Sequence, residues 1–297
     1  MRSGFVGIVG RPNVGKSTLL NAILGEKIAI TTAKPQTTRN TIRGIYTDLD
    51  KDGGIQMVFI DTPGIHKPRN KLGTFMTDSA IGTFREVDAI IFIVDSAIDK
   101  GPGDRYILDL LKEIDTPKIL VINKIDQMQP DEFEAIYKTY DEMDMFQEVF
   151  GTSALEGTHV QELIDCVSGF MEEGPMYFPE DQVTEDPVRF IASEIIREKI
   201  LLYMEDEIPH GVAVEIEEFA EEDDLTRISA CIYCERKTHK GMIIGKGGRK
   251  LKGIGKSARE ELEALLGTRV FLQTWVKVKE NWRDSDIALS NFGYKQQ

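Results

Sequence analysis

A glycine-rich segment near the start of the chain has the residue types and spacing of a phosphate-binding loop. Residues 10–17 follow the apolar run 5–9 and precede a helical pattern. In such a loop, backbone N–H groups point at phosphate oxygens and the next helix adds the positive end of its dipole. Lys16 would contact the outer phosphates, and the Ser17 hydroxyl would coordinate Mg²⁺. The predicted phosphate site comprises Gly10, Arg11, Pro12, Asn13, Val14, Gly15, Lys16, Ser17 and Thr18.

A carboxylate follows a second apolar run, residues 57–60, at the point where that strand should end. A carboxylate in this position can hold Mg²⁺ through water beside a bound nucleotide. We therefore expect Asp61 to act with Ser17 at the metal. The turn after the strand is predicted to contact the phosphates through Asp61, Thr62, Pro63 and Gly64.

A third segment indicates which base is bound. Asn123, Lys124, Ile125 and Asp126 close the buried run 119–122. The Asp126 carboxylate can accept hydrogen bonds from the N1–H and the exocyclic amine of guanine, whereas adenine has no donor at these positions. A site built on such bonds rejects the analogue that lacks them by about 10⁴ or more. Guanine is therefore favoured over adenine, and backbone donors near Ser153 and Ala154 can reach its carbonyl oxygen.

The elements around these segments predict an α/β domain. Between residues 4 and 172, apolar strand patterns alternate with amphipathic helical patterns, which indicates a three-layer fold with a mostly parallel sheet. All nucleotide segments directly follow strand ends, where ligands bind in open α/β sheets. Residues 173–185 contain prolines and a glycine without periodicity, and we interpret them as a linker. Residues 186–297 have the mixed pattern of a smaller α+β domain, in which the apolar spacing predicts one helix at residues 257–266.

Charge is strongly segregated in the second domain. The chain carries a net charge of −14, which disfavours nucleic acid, but residues 236–259 contain nine basic residues and no acid. Within them lies a Gly-x-x-Gly spacing of the kind that clamps single-stranded nucleic acid in the KH fold. We therefore predict RNA binding by Ile244, Gly245, Lys246, Gly247, Gly248, Arg249 and Lys250. A solvated basic loop is the alternative.

The motifs in both halves resemble the Era GTPases, and the resemblance covers residues 1 to about 290. It implies a GTPase domain at residues 1–172, the linker at 173–185 and a KH-type RNA-binding domain at 186–297. It also implies binding to the 3′ end of small-subunit (16S) ribosomal RNA and a role in maturation of the small ribosomal subunit. Residues 34–39 resemble the first switch loop of that family, in which Thr38, with Thr37 as its rival, would close over Mg²⁺ and the terminal phosphate.

Hydrolysis lacks an obvious water-orienting side chain. Ile65 follows Gly64 where small signalling GTPases have a glutamine. The catalytic residues expected are thus Lys16, Thr38 and Gly64, with charge stabilisation from Mg²⁺ and slow turnover in the absence of an activator. Asn13 has two interpretations: a K⁺ ligand, as in related potassium-activated GTPases, or a residue that tolerates a tight turn.

Composition restricts the class of protein that the chain can belong to. The longest apolar run, residues 89–94, is far short of a membrane span, and three cysteines do not form a disulfide framework. We expect a cytoplasmic monomer without a targeting leader, which binds GTP, GDP and Mg²⁺ but no DNA. The family resemblance leaves peripheral contact with the inner membrane face open. The alternative function is a signalling or membrane-associated GTPase whose second domain binds protein or anionic lipid; Asp126 disfavours an ATP-driven enzyme.

Overall fold

The computed structural model describes residues 1–34, 36–51, 53–95, 102–205 and 208–294. The chain divides into two compact units: residues 1–31, 38–69 and 73–185 form the first, and residues 32–37, 70–72 and those from 186 onward form the second. Pro35 of the expected switch loop lies outside the described residues, as do residues 206–207 and 295–297 of the expected second domain.

The first unit is built on one seven-stranded sheet. Its strands are β1 (Arg2–Gly10), β2 (Ile42–Asp48), β3 (Ile55–Asp61), β4 (Ala89–Val94), β5 (Lys118–Asn123), β6 (Glu148–Thr152) and β7 (Glu172–Glu173). The order is β2-β3-β1-β4-β5-β6, and β7 also pairs with β1. Strands β3, β1, β4, β5 and β6 run parallel, whereas β2 and β7 are antiparallel to their neighbours.

Helices cover the central strands on both faces. They are α1 (Lys16–Leu24), α2 (Lys71–Thr83), α3 (Pro102–Leu111), α4 (Pro130–Asp141) and α5 (Val160–Ser168). Every residue of β3, β4 and β5 is buried, as expected for parallel strands covered on both sides. Apolar residues of α2, α3 and α4 share one core cluster with β4 and β5, while α1 contacts α5. The predicted α/β class with a mostly parallel sheet is confirmed.

Residues 173–185, interpreted above as a linker, belong to the first unit. The backbone N–H of Ile45 in β2 donates to the Val183 carbonyl at 2.8 Å, and Gly44 forms an isolated bridge with Thr184. The side-chain oxygen of buried Gln56 also accepts the N–H of Phe178 at 3.0 Å. The first two contacts satisfy backbone groups along the edge strand β2, and Gln56 of β3 adds a side-chain bond. The segment therefore has fixed partners although its sequence has no strand pattern.

The second unit packs helices on one three-stranded sheet. Its elements in chain order are α6 (Val188–Tyr203), β8 (Ala213–Glu222), β9 (Leu225–Cys234), α7 (Lys237–Ile244), α8 (Arg249–Leu266), β10 (Arg269–Val278) and α9 (Asp286–Asn291). The strand order is β10-β9-β8, with β9 parallel to β10 and antiparallel to β8. Buried residues such as Ile195, Ile228 and Ile254 form its core, and the predicted α+β pattern agrees with this arrangement.

Helix α8 begins eight residues earlier than the sequence pattern indicates, since the pattern predicted a helix only from Ser257. Gly253 and Gly255 disguise the helix because glycine is a weak helix former. At Gly253, a Cβ atom would lie 3.1 Å from the Tyr203 ring, so the missing side chain lets α8 pack closely on α6. Tertiary packing therefore overrides the local preference.

Candidate functional site

The phosphate loop connects β1 to α1 in the first unit. Gly15 has a φ of 105°, and a Cβ atom on it would lie 2.1 Å from the side-chain nitrogen of Asn123. Only glycine fits there, because both the backbone conformation and the space exclude a side chain. The loop is therefore closely packed against the segment predicted to bind the base.

Lys16, the first residue of α1, is almost fully buried, and its side chain reaches back to the loop. Its Nζ donates to the Arg11 carbonyl at 2.8 Å and to the Gly10 carbonyl at 3.3 Å. Burial lowers the pKa of Lys16 to about 8, although the nearby charge of Asp61 acts in the opposite direction. A phosphate group placed at this ammonium would favour its charged form.

Three oxygen-bearing side chains meet beside Lys16. Ser17 Oγ lies 2.5 Å from Asp61 Oδ2 and 2.8 Å from Thr38 Oγ1, and Thr38 Oγ1 is 3.4 Å from the same carboxylate oxygen. Thr37, the rival of Thr38, instead bonds through its hydroxyl to Thr32 at 2.6 Å and to the Lys34 carbonyl. The structure thus brings together Ser17, Thr38 and Asp61 and leaves Thr37 out.

The fully buried Asp61 has an incomplete set of partners. Its Oδ1 atom has no hydrogen-bond partner within the part of the chain that the structure describes. Burial raises the pKa of Asp61 to about 6, against the opposing effects of Lys16, Ser17 and Thr38. A buried carboxylate with a spare oxygen beside two hydroxyl groups fits the hard oxygen ligands that Mg²⁺ takes.

The predicted base loop is joined to the phosphate loop by two side chains. Asn123 Nδ2 donates to the Val14 carbonyl at 2.8 Å, while its Oδ1 accepts the Ala154 N–H at 3.0 Å. Lys124 Nζ donates to the Asn13 carbonyl at 2.7 Å. The two loops and the segment after β6 therefore form one connected structure.

Asp126 is exposed at the rim of this structure. Its pKa is lowered, chiefly by a hydrogen bond from the Ser153 hydroxyl and further by Gln127. The carboxylate is thus ionised and oriented in the state that accepts hydrogen bonds from a base. Only backbone donors near Ser153 were predicted from the sequence, because Ser-Ala-Leu gives no local signal for this side-chain role.

The turn after β3 approaches the phosphate loop closely. A Cβ atom on Gly64 would lie 2.6 Å from the Pro12 nitrogen, and the Ile65 N–H donates to the Gly10 carbonyl at 3.2 Å. The side chain of Ile65 is fully buried in the apolar core. Position 65 therefore cannot hold a water molecule through its side chain.

The second unit carries the predicted Gly-x-x-Gly turn between α7 and α8. Gly247 has a φ of 61°, which favours glycine, and Lys246, Arg249 and Lys250 are exposed. Ile244 of the predicted set instead packs against the core of the unit. The turn therefore presents backbone and basic side chains to solvent, with Ile244 anchoring it.

A groove of about 780 Å³ extends from this turn along α8 to β10. Lys252, Lys256 and Arg259 continue the basic side from Arg249, while Leu251, Leu272 and Thr274 supply apolar and small polar surface. None of these six residues was predicted from the sequence as part of the RNA site. The spacing of the four basic residues, at i, i+3, i+7 and i+10, was the available signal for a shared helix face.

Comparisons with known proteins agree with both sites. A family model described as a 50S ribosome-binding GTPase matches residues 5–124, and a KH domain model matches residues 207–283. GTPase Era of Alkaliphilus oremlandii is 56% identical over 99% of both chains. GTPase Era of Clostridioides difficile is also 56% identical, over 100% of this chain and 99% of that one. The chain belongs to the Era family of GTPases.

Two solved Era structures cover the whole of this chain and are covered by it completely. A point variant of Aquifex aeolicus Era bound to GDP·AlF₄⁻ has 38% identity and a TM-score of 0.92. Era in complex with MgGDPNP and nucleotides 1506–1542 of 16S ribosomal RNA has 39% identity and a TM-score of 0.92. The reaction of this Era-family chain is accordingly hydrolysis of GTP. Among the residues described here, no helix is both long and apolar enough to cross a bilayer.

Proposed function

We propose that this Era-family GTPase uses its first unit to bind and hydrolyse MgGTP and the groove of its second unit to hold single-stranded RNA. The RNA expected is the 3′ end of 16S ribosomal RNA, because a 39% identical Era has been solved with nucleotides 1506–1542 of that molecule. The chain would then act in maturation of the small ribosomal subunit. The single observation that carries the guanine assignment is the exposed, ionised Asp126 beside Ser153.

In this proposal, residues 10–18 cradle the phosphates and Lys16 stabilises the charge that develops during phosphoryl transfer. Mg²⁺, held by Ser17, Thr38 and Asp61, supplies charge neutralisation at the phosphates when bound. The fit of the ion rests on the spare Oδ1 atom of Asp61 and the two hydroxyl groups beside it. Gly64 lets the turn after β3 approach the phosphate loop.

Hydrolysis is expected to be slow in the isolated chain, because Ile65 is buried and has no polar group to orient water. If K⁺ accelerates hydrolysis, Asn13 is the residue expected to coordinate it. Its φ of 66° also fits the second interpretation, a residue that tolerates the left-handed conformation of a tight turn. Comparing turnover in KCl and NaCl at equal ionic strength separates these two roles.

The second unit would grip RNA through the turn at residues 245–248 and the basic side of the groove. Backbone close to the glycines can approach phosphates, and Lys246, Arg249 and Lys252 neutralise them. The apolar surface of Leu251 and Leu272 can contact bases. We expect a cytoplasmic monomer without affinity for DNA. Co-sedimentation with anionic liposomes tests the membrane contact that the sequence left open.

The base assignment is tested with Asp126→Asn. We expect the variant to lose GTP affinity by more than about a hundredfold and to prefer xanthosine triphosphate, whose edge matches an amide. Isothermal titration of both nucleotides with Mg²⁺ measures the change. Asp131→Asn, a change of the same type at the exposed start of α4, is the control. Unchanged GTP affinity in Asp126→Asn would remove the base assignment.

A further inference from the structure

Among the described residues, two carboxylates outside the nucleotide motifs contact the side chain of Arg11 in the phosphate loop. Asp104, in the first turn of α3, is fully buried, and its Oδ1 lies 2.7 Å from Arg11 Nε. Asp95, directly after β4, has Oδ1 3.1 Å from Arg11 Nη2. Neither acid belongs to the segments assigned to phosphate, metal or base.

The second oxygen of Asp95 contacts the base loop. Lys124 Nζ lies 2.7 Å from Asp95 Oδ2 while it also donates to the Asn13 carbonyl. Asp95 is therefore placed between Arg11 of the phosphate loop and Lys124 of the base loop. One carboxylate joins the two halves of the nucleotide site.

The start of α3 is shaped around the Arg11 side chain. A Cβ atom on Gly103 would lie 2.8 Å from Arg11 Cδ, so the aliphatic stem packs directly on this backbone. A buried carboxylate such as Asp104 is costly unless it is paired. Burial raises the pKa of Asp104, and the charge of Arg11 opposes that rise. The ion pair thus fixes the Arg11 guanidinium in one place.

The position of the Arg11 side chain is important because the backbone carbonyl of the same residue accepts a hydrogen bond from Lys16. Lys16 Nζ lies closer to the Arg11 carbonyl, at 2.8 Å, than to the Gly10 carbonyl, at 3.3 Å. If Lys16 turns toward phosphate, that internal bond weakens, and the loop must be held by other contacts. The ion pairs of Arg11 are made by its guanidinium and not by its carbonyl, so they do not use Lys16.

We propose that Asp104 and Asp95 are positioning residues for the nucleotide: Asp104 holds Arg11 so that the phosphate loop is preformed, and Asp95 ties that loop to Lys124. Neither touches the nucleotide in this proposal, which rests on the nucleotide site proposed above. A preformed loop loses less conformational entropy when the nucleotide binds, which raises the affinity. Affinity differences between related complexes appear mostly in the dissociation rate. Both acids should therefore slow dissociation of GDP and GTP.

The test measures dissociation of a fluorescent GDP analogue from the full-length protein with Mg²⁺. Asp104→Asn and Asp95→Asn should each raise the dissociation rate by about tenfold, within the coupling range for residues of one ion-pair network. Asp109→Asn, on the exposed face of α3 beside Lys112, is the matched control and should leave the rate unchanged. Wild-type rates in both positioning variants would overturn the proposal, whereas a wild-type chain that fails to bind GDP would refute the nucleotide site itself.

A double variant separates positioning from folding. Arg11→Met with Asp104→Leu removes both charges of the ion pair, so that no charge is left buried at Asp104, and such replacements often restore thermal stability. If the acids position the phosphate loop, the double variant should melt near the wild-type temperature and still release GDP about tenfold faster than wild type. If dissociation returns to the wild-type rate together with the melting temperature, the acids serve folding alone and the proposal is wrong.

Discussion

The side-chain amide of Asn123 donates to the main-chain carbonyl of Val14 at 2.8 Å, so the end of β5 is bonded to the phosphate loop. The same side chain accepts the Ala154 N–H at 3.0 Å and the Thr152 hydroxyl at 3.2 Å. One residue therefore connects three segments that the sequence separates by up to about 140 positions, and each segment is predicted to contact a different part of the nucleotide.

Replacing Asn123 should affect both stability and binding. Asn123→Ala leaves the Ala154 N–H and the Val14 carbonyl without their partner in a buried site, which costs about 1–3 kcal/mol for each such group. We expect a loss of about 2–4 kcal/mol in the free energy of unfolding, measured in urea, together with a GTP affinity at least tenfold weaker.

Asn123→Asp is the matched control for that variant. It keeps the oxygen that accepts from Ala154 and Thr152 but replaces the donor to Val14 by a second acceptor. Because the new carboxylate is buried and faces the Val14 carbonyl, we expect stability no higher than that of Asn123→Ala, with nucleotide affinity as low as in Asn123→Ala. Wild-type affinity in the aspartate variant would show that the bond to Val14 does not hold the phosphate loop.

Magnesium affinity should depend on pH through Asp61. Its pKa of about 6 means that a proton competes with the metal for this carboxylate in acid. Between pH 8 and pH 6.5 we expect little change, and below pH 6 the Mg²⁺ affinity of the GDP complex should fall by about tenfold per pH unit. Mg²⁺ titrations followed by a fluorescent GDP analogue measure this. A flat profile down to pH 5 would contradict the assignment of Asp61.

The same group should influence stability without ligand. Because the folded pKa of Asp61 lies above its ordinary value of 3.8, the folded chain binds this proton more tightly than the unfolded chain does. The resulting stability is present below pH 4 and is lost as pH rises to about 6, by up to about 3 kcal/mol. Asp61→Asn should lack this decrease, so the difference in melting temperature between wild type and variant should change across that window.

Much of the first unit could be predicted because its signals are local. The motif residues directly follow apolar strands, and parallel strands place their carboxyl ends at one edge. The sequence could not show that Ser153 bonds Asp126, or that Asp104 pairs with Arg11, because these contacts depend on side chains brought together from distant segments. Local glycine content likewise concealed the first turns of α8, where packing on Tyr203 outweighs helix preference.

The groove of the second unit could be predicted from the sequence only in part. Residues 244–250 were predicted from a contiguous motif, whereas Thr274 joins the groove only because β10 lies beside α8. On β10, Leu272 and Thr274 line the groove, so Phe271, Gln273 and Trp275 point to the other face of the sheet. Because Phe271 and Trp275 give this other face aromatic rings on which bases could stack, a mutation there provides the control for the groove.

RNA binding should follow the basic side of the groove. Lys252→Gln and Lys256→Gln should each weaken binding of a short RNA with the 16S 3′ sequence and reduce the slope of log affinity against log salt by about one. Lys277→Gln, on the opposite face of β10, should leave the slope unchanged. Gel-shift titrations at several salt concentrations provide the slopes. If Lys277→Gln reduced the slope and the two groove variants did not, the RNA would lie on the other face of the sheet.

Gly255→Ala should separate stability from RNA binding. A Cβ atom there would lie 3.8 Å from Thr274 Oγ1, which is ordinary van der Waals contact, so alanine fits α8 without strain. Alanine in a helix is favoured over glycine by about 0.5–1 kcal/mol, which should raise the melting temperature. Because Gly255 lines the groove, the added methyl group should also reduce RNA affinity. Gly267→Ala, at the left-handed end of α8, should instead destabilise the unit. Improved stability with unchanged RNA affinity would exclude contact between RNA and this part of the groove.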